Sequence, residues 1–294
     1  MVPQHRSSIF VRATPIVFVA LWATGFIGAR MGLPDAPPLK FLLWRFVVVI
    51  VLMTVVAIAG RAAWPRGIRI AHVAVAGLLL QAGYLGGVFV AISLGMTAGL
   101  AALIVGTQPI LTAAAGPLIG ERVNARQWTG LLLGFIGVAM VLWNKTGAPE
   151  AGAGFGWEAV ACAVVALLSI TLGTLYQKKY CGAQDLRTQS VVQFVAAGAV
   201  LLPLSLAFET RPVVWSGSLL FALGWLVIVL SLGATSLLLL LIRRGAATAV
   251  TSLMYLVPPV TALIAYALFD ERLTLVALLG MAVTVVGVAL VVRK

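Results

Sequence analysis

Charged residues are scarce in this sequence, because Asp, Glu, Lys and Arg together make up 10% of its 294 residues while hydrophobic residues make up 62%. A soluble globular domain is roughly half apolar and about a quarter charged. This composition excludes an ordinary water-soluble domain, since the chain has too few polar side chains to cover a surface that faces water. The sequence therefore predicts an integral membrane protein with the lipid bilayer as its solvent.

Cysteine and histidine are also rare, with two of each. On a single helix, the 19 positions from Cys162 to Cys181 span roughly 28 Å at about 1.5 Å per residue, whereas a disulfide needs Cα atoms within about 7 Å. We therefore expect two free thiols. His5 and His72 lack the spacing of metal ligands, so we expect no metal site and no cofactor.

Acidic residues are the rarest charged group, and all eight fall in loops or near the ends of apolar segments. Glu158 alone could reach inward. Exporters of cationic drugs usually need a membrane carboxylate to balance the cation, so this scarcity weakens that function and predicts a largely uncharged pocket. The acids are Asp35, Glu121, Glu150, Glu158, Asp185, Glu209, Asp270 and Glu271.

An enzyme needs a nucleophile, an acid–base pair or a metal set converging in a pocket. The sequence offers none of these, and we expect a protein that is not an enzyme.

Basic residues give a net charge of +12, but they are scattered singly or in pairs between apolar runs. A nucleic-acid groove requires basic residues interleaved with stacking aromatics, and no such run occurs. We therefore expect the lipid bilayer and a small-molecule substrate as partners, and no nucleic acid. The sequence leaves open whether the protein is a monomer or a homodimer.

Ten apolar segments approach the roughly 20 residues that a helix needs to cross a bilayer. Turn or charge signals separate them, for example at 33–35 and 144–156. The first segment lacks a small-x-small cleavage site, so we interpret it as a retained span rather than a signal peptide. The predicted spans are 14–31, 39–59, 70–94, 98–119, 127–143, 157–177, 188–208, 218–242, 247–269 and 275–292.

The distribution of Lys and Arg predicts the orientation, because these residues stay on the cytoplasmic side. With the N-terminus inside, the cytoplasmic segments hold 14 of them and the external segments hold 4. We therefore expect a multi-pass protein with its N- and C-termini both cytoplasmic.

The two halves of the sequence repeat each other. A shift of 150 residues places Pro109 on Pro259, and a shift of 148 places Gly25 on Gly173. Because each unit holds five spans, an odd number, the second copy enters the membrane from the opposite side, and such inverted repeats place a binding site between them near the midplane. We expect an all-α membrane protein of ten transmembrane helices, with one five-helix repeat over 1–147 and the inverted repeat over 148–294.

Several motifs resemble those of a known family. LWATGF at 21–26 and WRF at 44–46 resemble the first two helices of an EamA-type repeat, and QPI at 108–110 and VPP at 257–259 resemble its fourth helix. The resemblance covers nearly the whole chain and is to the ten-helix exporters of the drug/metabolite transporter superfamily. It implies an exporter in a bacterial inner membrane whose substrates are amino acids, aromatic ones among them, or other metabolites.

Polar side chains within the predicted spans are candidates for the substrate site, because hydrocarbon disfavours them. In the resembling family, the third, fourth, eighth and ninth helices surround the cavity, with the first and sixth beside them, and the polar residues fall on those six. We predict a cavity role for Gln81, Tyr84, Gln108 and Tyr255. Further binding candidates are Trp22, Ser231, Ser169 and Thr251, although for the serines and threonines a hydrogen bond to their own helix backbone is favoured.

Three prolines and one arginine interrupt the apolar spans. Pro109, Pro258 and Pro259 remove backbone hydrogen bonds and kink a helix, so they predict either a hinge or a static kink. Arg45 could meet a substrate carboxylate, but we favour a side chain that extends to the outer surface or holds helix ends together, because charge within a membrane is costly.

These features favour a transporter that exports small metabolites, foremost amino acids, by alternating access between the two sides of the membrane. The alternative is an exporter of multiple drugs or other cationic compounds.

Overall fold

The computed structural model describes residues 5–96, 101, 104–120, 122–146, 156–182, 184–244, 247–257, 259–260, 263–264 and 275–292. Within these ranges the chain forms helices joined by short turns, and no strand occurs in them. Backbone groups in a bilayer must be satisfied within the structure itself, which is why so apolar a chain folds into helices.

Among the residues that the structure describes, six helices lie in the first half of the chain and five in the second. The first six are α1 His5–Ala23, α2 Gly25–Gly32, α3 Pro38–Ala59, α4 Ile68–Ser93, α5 Gln108–Ala115 and α6 Ala125–Thr146. The others are α7 Trp157–Tyr180, α8 Leu186–Phe208, α9 Gly217–Arg243, α10 Ala247–Ser252 and α11 Leu275–Val292.

Five of these helices, α3, α4, α7, α8 and α9, are long and apolar enough to cross a membrane. Their most apolar windows have mean hydropathies from 1.9 to 2.7. Shorter apolar helices cover Thr14–Ala23 and Leu278–Val292. The chain is therefore an all-helical membrane protein over the part that the structure describes.

Among the described residues, the first and the fourth predicted spans are interrupted rather than continuous. The span predicted at 14–31 breaks at Thr24, whose Oγ1 donates to the Leu21 carbonyl at 2.7 Å and accepts a 3.0 Å hydrogen bond from Trp225 Nε1. In the span predicted at 98–119, a turn at 106–107 precedes α5, and a 3-10 turn, Gly116–Ile119, follows it. Both breaks lie beside the central cavities described below.

The α3 helix shows how the bundle faces lipid. Val47, Val51, Val55 and Ile58 are exposed along one side, while Leu42, Phe46, Val49 and Met53 are buried on the other. An exposed stripe of large apolar side chains is stable only against an apolar solvent. The stripe therefore marks a lipid-facing surface of the bundle.

Two segments of nine residues adopt a π-helical conformation, one within α4 and one within α9. They are Leu78–Gly86 and Leu226–Ala234, so the second begins and ends 148 residues after the first. This is the shift that relates the early parts of the two halves in the sequence. π-Helical turns are rare and are frequently found at functional sites.

Helices from the two halves pack in equivalent pairs, α3 against α8 and α6 against α11. The backbones of α6 and α11 approach each other closely. A Cβ added to Gly130 would lie 2.6 Å from the carbonyl oxygen of Gly287, and a Cβ added to Gly137 would lie 2.6 Å from the carbonyl oxygen of Gly280. Glycine recurs at a spacing of seven residues on both helices, which brings their backbones together at two successive points.

Acidic residues in the loops hold the ends of helices together. Both Glu209 carboxylate oxygens accept hydrogen bonds from backbone N–H groups at the start of α3, from Leu39 at 2.6 Å and from Lys40 at 2.8 Å. Hydrogen bonds donated by Ser216 and Ser218 lower the pKa of Asp35 below its usual value. These acids therefore serve the contact between the α2–α3 turn and the α8–α9 loop.

The remaining acids and cysteines also lie outside the centre of the bundle where the structure describes them. Glu158 is exposed in the first turn of α7, so it does not reach inward. Hydrogen bonds and charge from Arg187 lower the pKa of Asp185, which caps the start of α8. Cys162 and Cys181 are free thiols, as the sequence predicted.

Candidate functional site

A cavity of about 60 Å³ lies in the middle of the bundle, between α1, α2, α3, α4, α7 and α9. Both π-helical segments contribute to its wall, through Leu80, Gln81, Tyr84 and Leu85 on one side and Leu226 and Leu230 on the other. Most of the remaining lining is apolar. The cavity thus combines a large hydrocarbon surface with a few polar side chains, which is the composition of a small-molecule site.

A second cavity of about 30 Å³ adjoins the first and extends toward α5. The two share Trp22, Tyr84, Val88 and Ile170 as lining residues. The rings of Trp22 and Tyr84 are stacked, with centroids 6.5 Å apart and planes inclined by 10°. This aromatic pair therefore forms part of the wall between the two cavities.

Arg45 contributes a positive charge to the larger cavity. Its side chain is 4% exposed, and Nε donates a 2.7 Å hydrogen bond to Ser231 Oγ in the second π-helical segment. The favoured interpretation of a side chain that extends to the outer surface is wrong, because Arg45 lies on the buried face of α3 with Leu42, Phe46 and Val49. The expectation of a largely uncharged pocket is corrected for the same reason.

Gln81 and Tyr84 lie one turn apart in the first π-helical segment, and both line the larger cavity. Gln81 is 3% exposed, and no hydrogen bond joins its side-chain amide to the described residues. The Tyr84 hydroxyl interacts electrostatically with the Arg45 guanidinium and the Trp22 indole. Amide, hydroxyl and guanidinium groups thus line the same cavity.

Gln108 lines the smaller cavity at the start of α5. Its Nε2 donates a 3.2 Å hydrogen bond to Thr174 Oγ1, while its Oε1 has no hydrogen-bond partner within the described ranges. Buried amide oxygens are nearly always paired, so this one is available to a bound molecule.

The prolines predicted as hinges have different positions. Pro109 is in the first turn of α5, where a missing N–H costs little because that group has no helical partner. Pro259 is buried within the described pair 259–260, and Pro258 lies outside the described residues. Their role as hinges stays a prediction.

The other predicted binding residues are not brought into either cavity lining. Ser231 accepts the hydrogen bond from Arg45. Ser169 packs against Gly83, because a Cβ added to Gly83 would lie 2.8 Å from the Cβ of Ser169. Thr251 and Tyr255 are buried elsewhere, and the Tyr255 ring packs on Gly134. Whether Tyr255, Ser169 and Thr251 bind substrate stays a prediction.

The sequence analysis did not assign Arg45 to the site, although two signals pointed to it. Arg45 is the single charged residue within the long apolar run that follows Lys40 in α3. The repeat offered a second signal, since Gln193 is the equivalent of Arg45 and is itself buried, donating a 2.9 Å hydrogen bond to Gln177. Polar residues at equivalent buried positions indicate a polar interior in both halves.

The chain is similar to known membrane transporters over most of its length. The model of the EamA-like transporter family matches it twice, over residues 13–143 and 157–293. The "Uncharacterized inner membrane transporter YedA" of Escherichia coli K12 is 27% identical over 274 residues, which cover 92% of this chain and 87% of the relative. A "Probable amino-acid metabolite efflux pump" of the same organism is 25% identical over 287 residues, covering 92% and 91%.

One solved crystal structure is also similar to this chain, with a TM-score of 0.74 at 21% sequence identity. The match covers 94% of this chain and 94% of the other. At that level of identity the likeness shows a shared fold alone.

Proposed function

Because this chain belongs to the EamA-like transporter family, we propose that it exports small metabolites, foremost amino acids, across a bacterial inner membrane by alternating access. Family membership makes it a membrane transporter of the drug/metabolite superfamily, which favours transport over an enzymatic function. Similarity to a probable amino-acid metabolite efflux pump supports the substrate class. Aromatic amino acids are included in the proposal.

The observation that carries this proposal is the composition of the larger cavity. Arg45, Gln81 and Tyr84 supply a positive charge and hydrogen-bonding groups to its lining. Leu80, Val88 and other apolar side chains form most of the remaining wall. An amino acid has a matching division between its polar backbone groups and its side chain.

The architecture proposed for this function is ten transmembrane helices in two inverted repeats, over 1–147 and 148–294. Three observations support it: the double match to the family model, the π-helical segments 148 residues apart, and the packing of equivalent helices α3 on α8 and α6 on α11. Inverted repeats can exchange conformations, which gives one state open to each side of the membrane.

The stacked pair of Trp22 and Tyr84 is the proposed barrier that separates the two cavities during this transport cycle. It lies between the two cavities, so a movement of either ring would join them into one passage. The breaks at Thr24 and at 106–107 lie beside the cavities, and we propose that α1 and α5 move at these points. Pro109, Pro258 and Pro259 are the proposed hinge residues.

The proposed orientation places both termini in the cytoplasm, and cysteine labelling tests it. Arg66 and Arg211 are both exposed, at opposite ends of the predicted topology. In intact cells, Arg211→Cys is expected to react with an impermeant maleimide, whereas Arg66→Cys reacts only after permeabilisation. The parent protein, whose Cys181 is buried, gives the background. Reversed labelling would place the termini outside.

The transport proposal is tested by counterflow in proteoliposomes. We expect a preloaded amino acid to drive uptake of the same labelled amino acid, with sugars and nucleosides giving no signal above protein-free liposomes. The second candidate is export of cationic drugs, and no observation on the cavity favours it, because no acid is among the described lining residues. Counterflow of cationic dyes alone would support that function and contradict ours.

A further inference from the structure

The Arg45 guanidinium is a buried cation for which the described residues provide no anion. Its hydrogen bond to them is the one from Nε to Ser231, and no described carboxylate lies within ion-pair distance of it. A charge that is held away from water without an opposite charge is costly. The site is therefore stabilised when an anion from solution enters the cavity.

The free donors of Arg45 fit a carboxylate. A guanidinium carries five N–H donors in a rigid plane, and the bond to Ser231 uses the one on Nε. The donors on Nη1 and Nη2 have no acceptor within the described part of the chain. Two parallel hydrogen bonds from these nitrogens match the two oxygens of a carboxylate. The bond to Ser231 fixes the direction in which the fork points.

The rest of the cavity offers little to an ammonium group. No acid is among its described lining residues, so a positively charged group would meet Gln81, Tyr84 and Thr235, which are neutral, and Arg45, which repels it. Leu80, Phe89 and Leu230 form part of an apolar wall that suits a hydrocarbon body. The cavity can therefore bind a carboxylate through Arg45 and an apolar side chain through its hydrocarbon wall, but it offers little favourable contact to a protonated amine.

We propose that Arg45 anchors the carboxylate of the transported molecule, and that the cavity selects monocarboxylates with an apolar body whether or not they carry an ammonium group. This inference rests on the proposed export function and defines its substrate class. Organic acids derived from apolar amino acids by loss of the amine are then substrates together with the amino acids. Amines and amides of the same shape are excluded.

A matched set of four compounds tests this selection by calorimetry on the purified protein. L-Phenylalanine and 3-phenylpropionate both carry a carboxylate, whereas L-phenylalaninamide and phenethylamine do not. We expect the two carboxylates to bind within about tenfold of each other, and the other two at least about a hundredfold more weakly, since bonds to a buried charge are lost.

The outcomes separate this inference from the export proposal. If L-phenylalanine binds and 3-phenylpropionate does not, the inference fails while amino-acid export stands. If phenethylamine alone binds, both fail. Chloride and inorganic phosphate are titrated in parallel, because either could occupy the cation instead. If either inorganic anion displaces 3-phenylpropionate and protects the protein from heat as strongly as it does, the Arg45 site accepts any anion and the inference is overturned.

Substitutions assign the effect to Arg45. Arg45→Gln is expected to weaken both carboxylates about a hundredfold, and Arg45→Lys is expected to lose part of that affinity, since it keeps the charge without the fork. Lys40→Gln is the matched control. It removes a charge from the same helix, but the Lys40 side chain donates its hydrogen bond to the carbonyl oxygen of Arg211, so the affinity for both carboxylates should not change. If Arg45→Gln does not fold, Ser231→Ala replaces it, with a loss of about tenfold expected. Unchanged carboxylate affinity in a folded variant would refute the assignment.

Discussion

Valine in place of Gly287 is expected to prevent α6 and α11 from packing in their native positions. A Cβ at Gly287 would overlap the backbone nitrogen of Gly134 and would lie 2.6 Å from the carbonyl oxygen of Gly130. Because both neighbours are backbone atoms, a change of rotamer cannot relieve the overlap, and the helices must separate. We expect a loss of stability at or above the upper end of the roughly 1–3 kcal/mol that is typical of overpacking.

Gly198→Val is the matched control for this experiment. Gly198 also lies within a long helix, α8, but a Cβ there meets nothing within 4 Å. The fraction of monodisperse protein in detergent and its Tm should both fall for Gly287→Val and stay close to the native values for Gly198→Val. Equal values in the two variants would mean that the α6–α11 contact does not limit stability.

Removal of the hydroxyl group from two buried tyrosines, Tyr84 and Tyr255, is expected to affect substrate affinity differently. Tyr84→Phe should weaken substrate binding by about tenfold to a hundredfold, because one polar contact in a site without water contributes roughly 1–3 kcal/mol. Tyr84 lines both cavities, whereas Tyr255 lines neither and its hydroxyl has no hydrogen-bond partner in the described part of the chain. Tyr255→Phe should therefore leave affinity unchanged and keep or raise the Tm, since it removes an unsatisfied polar group.

Both quantities should be measured on the same preparations, by calorimetric titration of L-phenylalanine and by thermal unfolding. A fall in Tm with unchanged affinity for Tyr84→Phe would mean that this hydroxyl supports the fold and not the site. A loss of affinity for folded Tyr255→Phe would return Tyr255 to the cavity in another state of the transport cycle. Either pattern decides between the two assignments.

The sequence by itself determined where the five long apolar helices lie. Residues 39–59 were predicted as a span and Pro38–Ala59 is helical, and residues 188–208 correspond to Leu186–Phe208. Local signals are sufficient here because a membrane helix makes its backbone hydrogen bonds within its own segment. The same locality explains the free cysteines.

Only the tertiary structure decided which polar side chains meet. The sequence favoured Tyr255 as a cavity residue and Arg45 as a residue extending to the surface, yet Arg45 lines the larger cavity and Tyr255 packs on Gly134. In a soluble protein the polar face of a helix is the face exposed to solvent. In a membrane helix the lipid-facing side and the protein-facing side are both apolar, so the sequence of an apolar span gives little information about which side faces the protein interior. The π-helical segments add to this, because their extra residue per turn rotates the side chains that follow away from the positions that an ideal helix predicts.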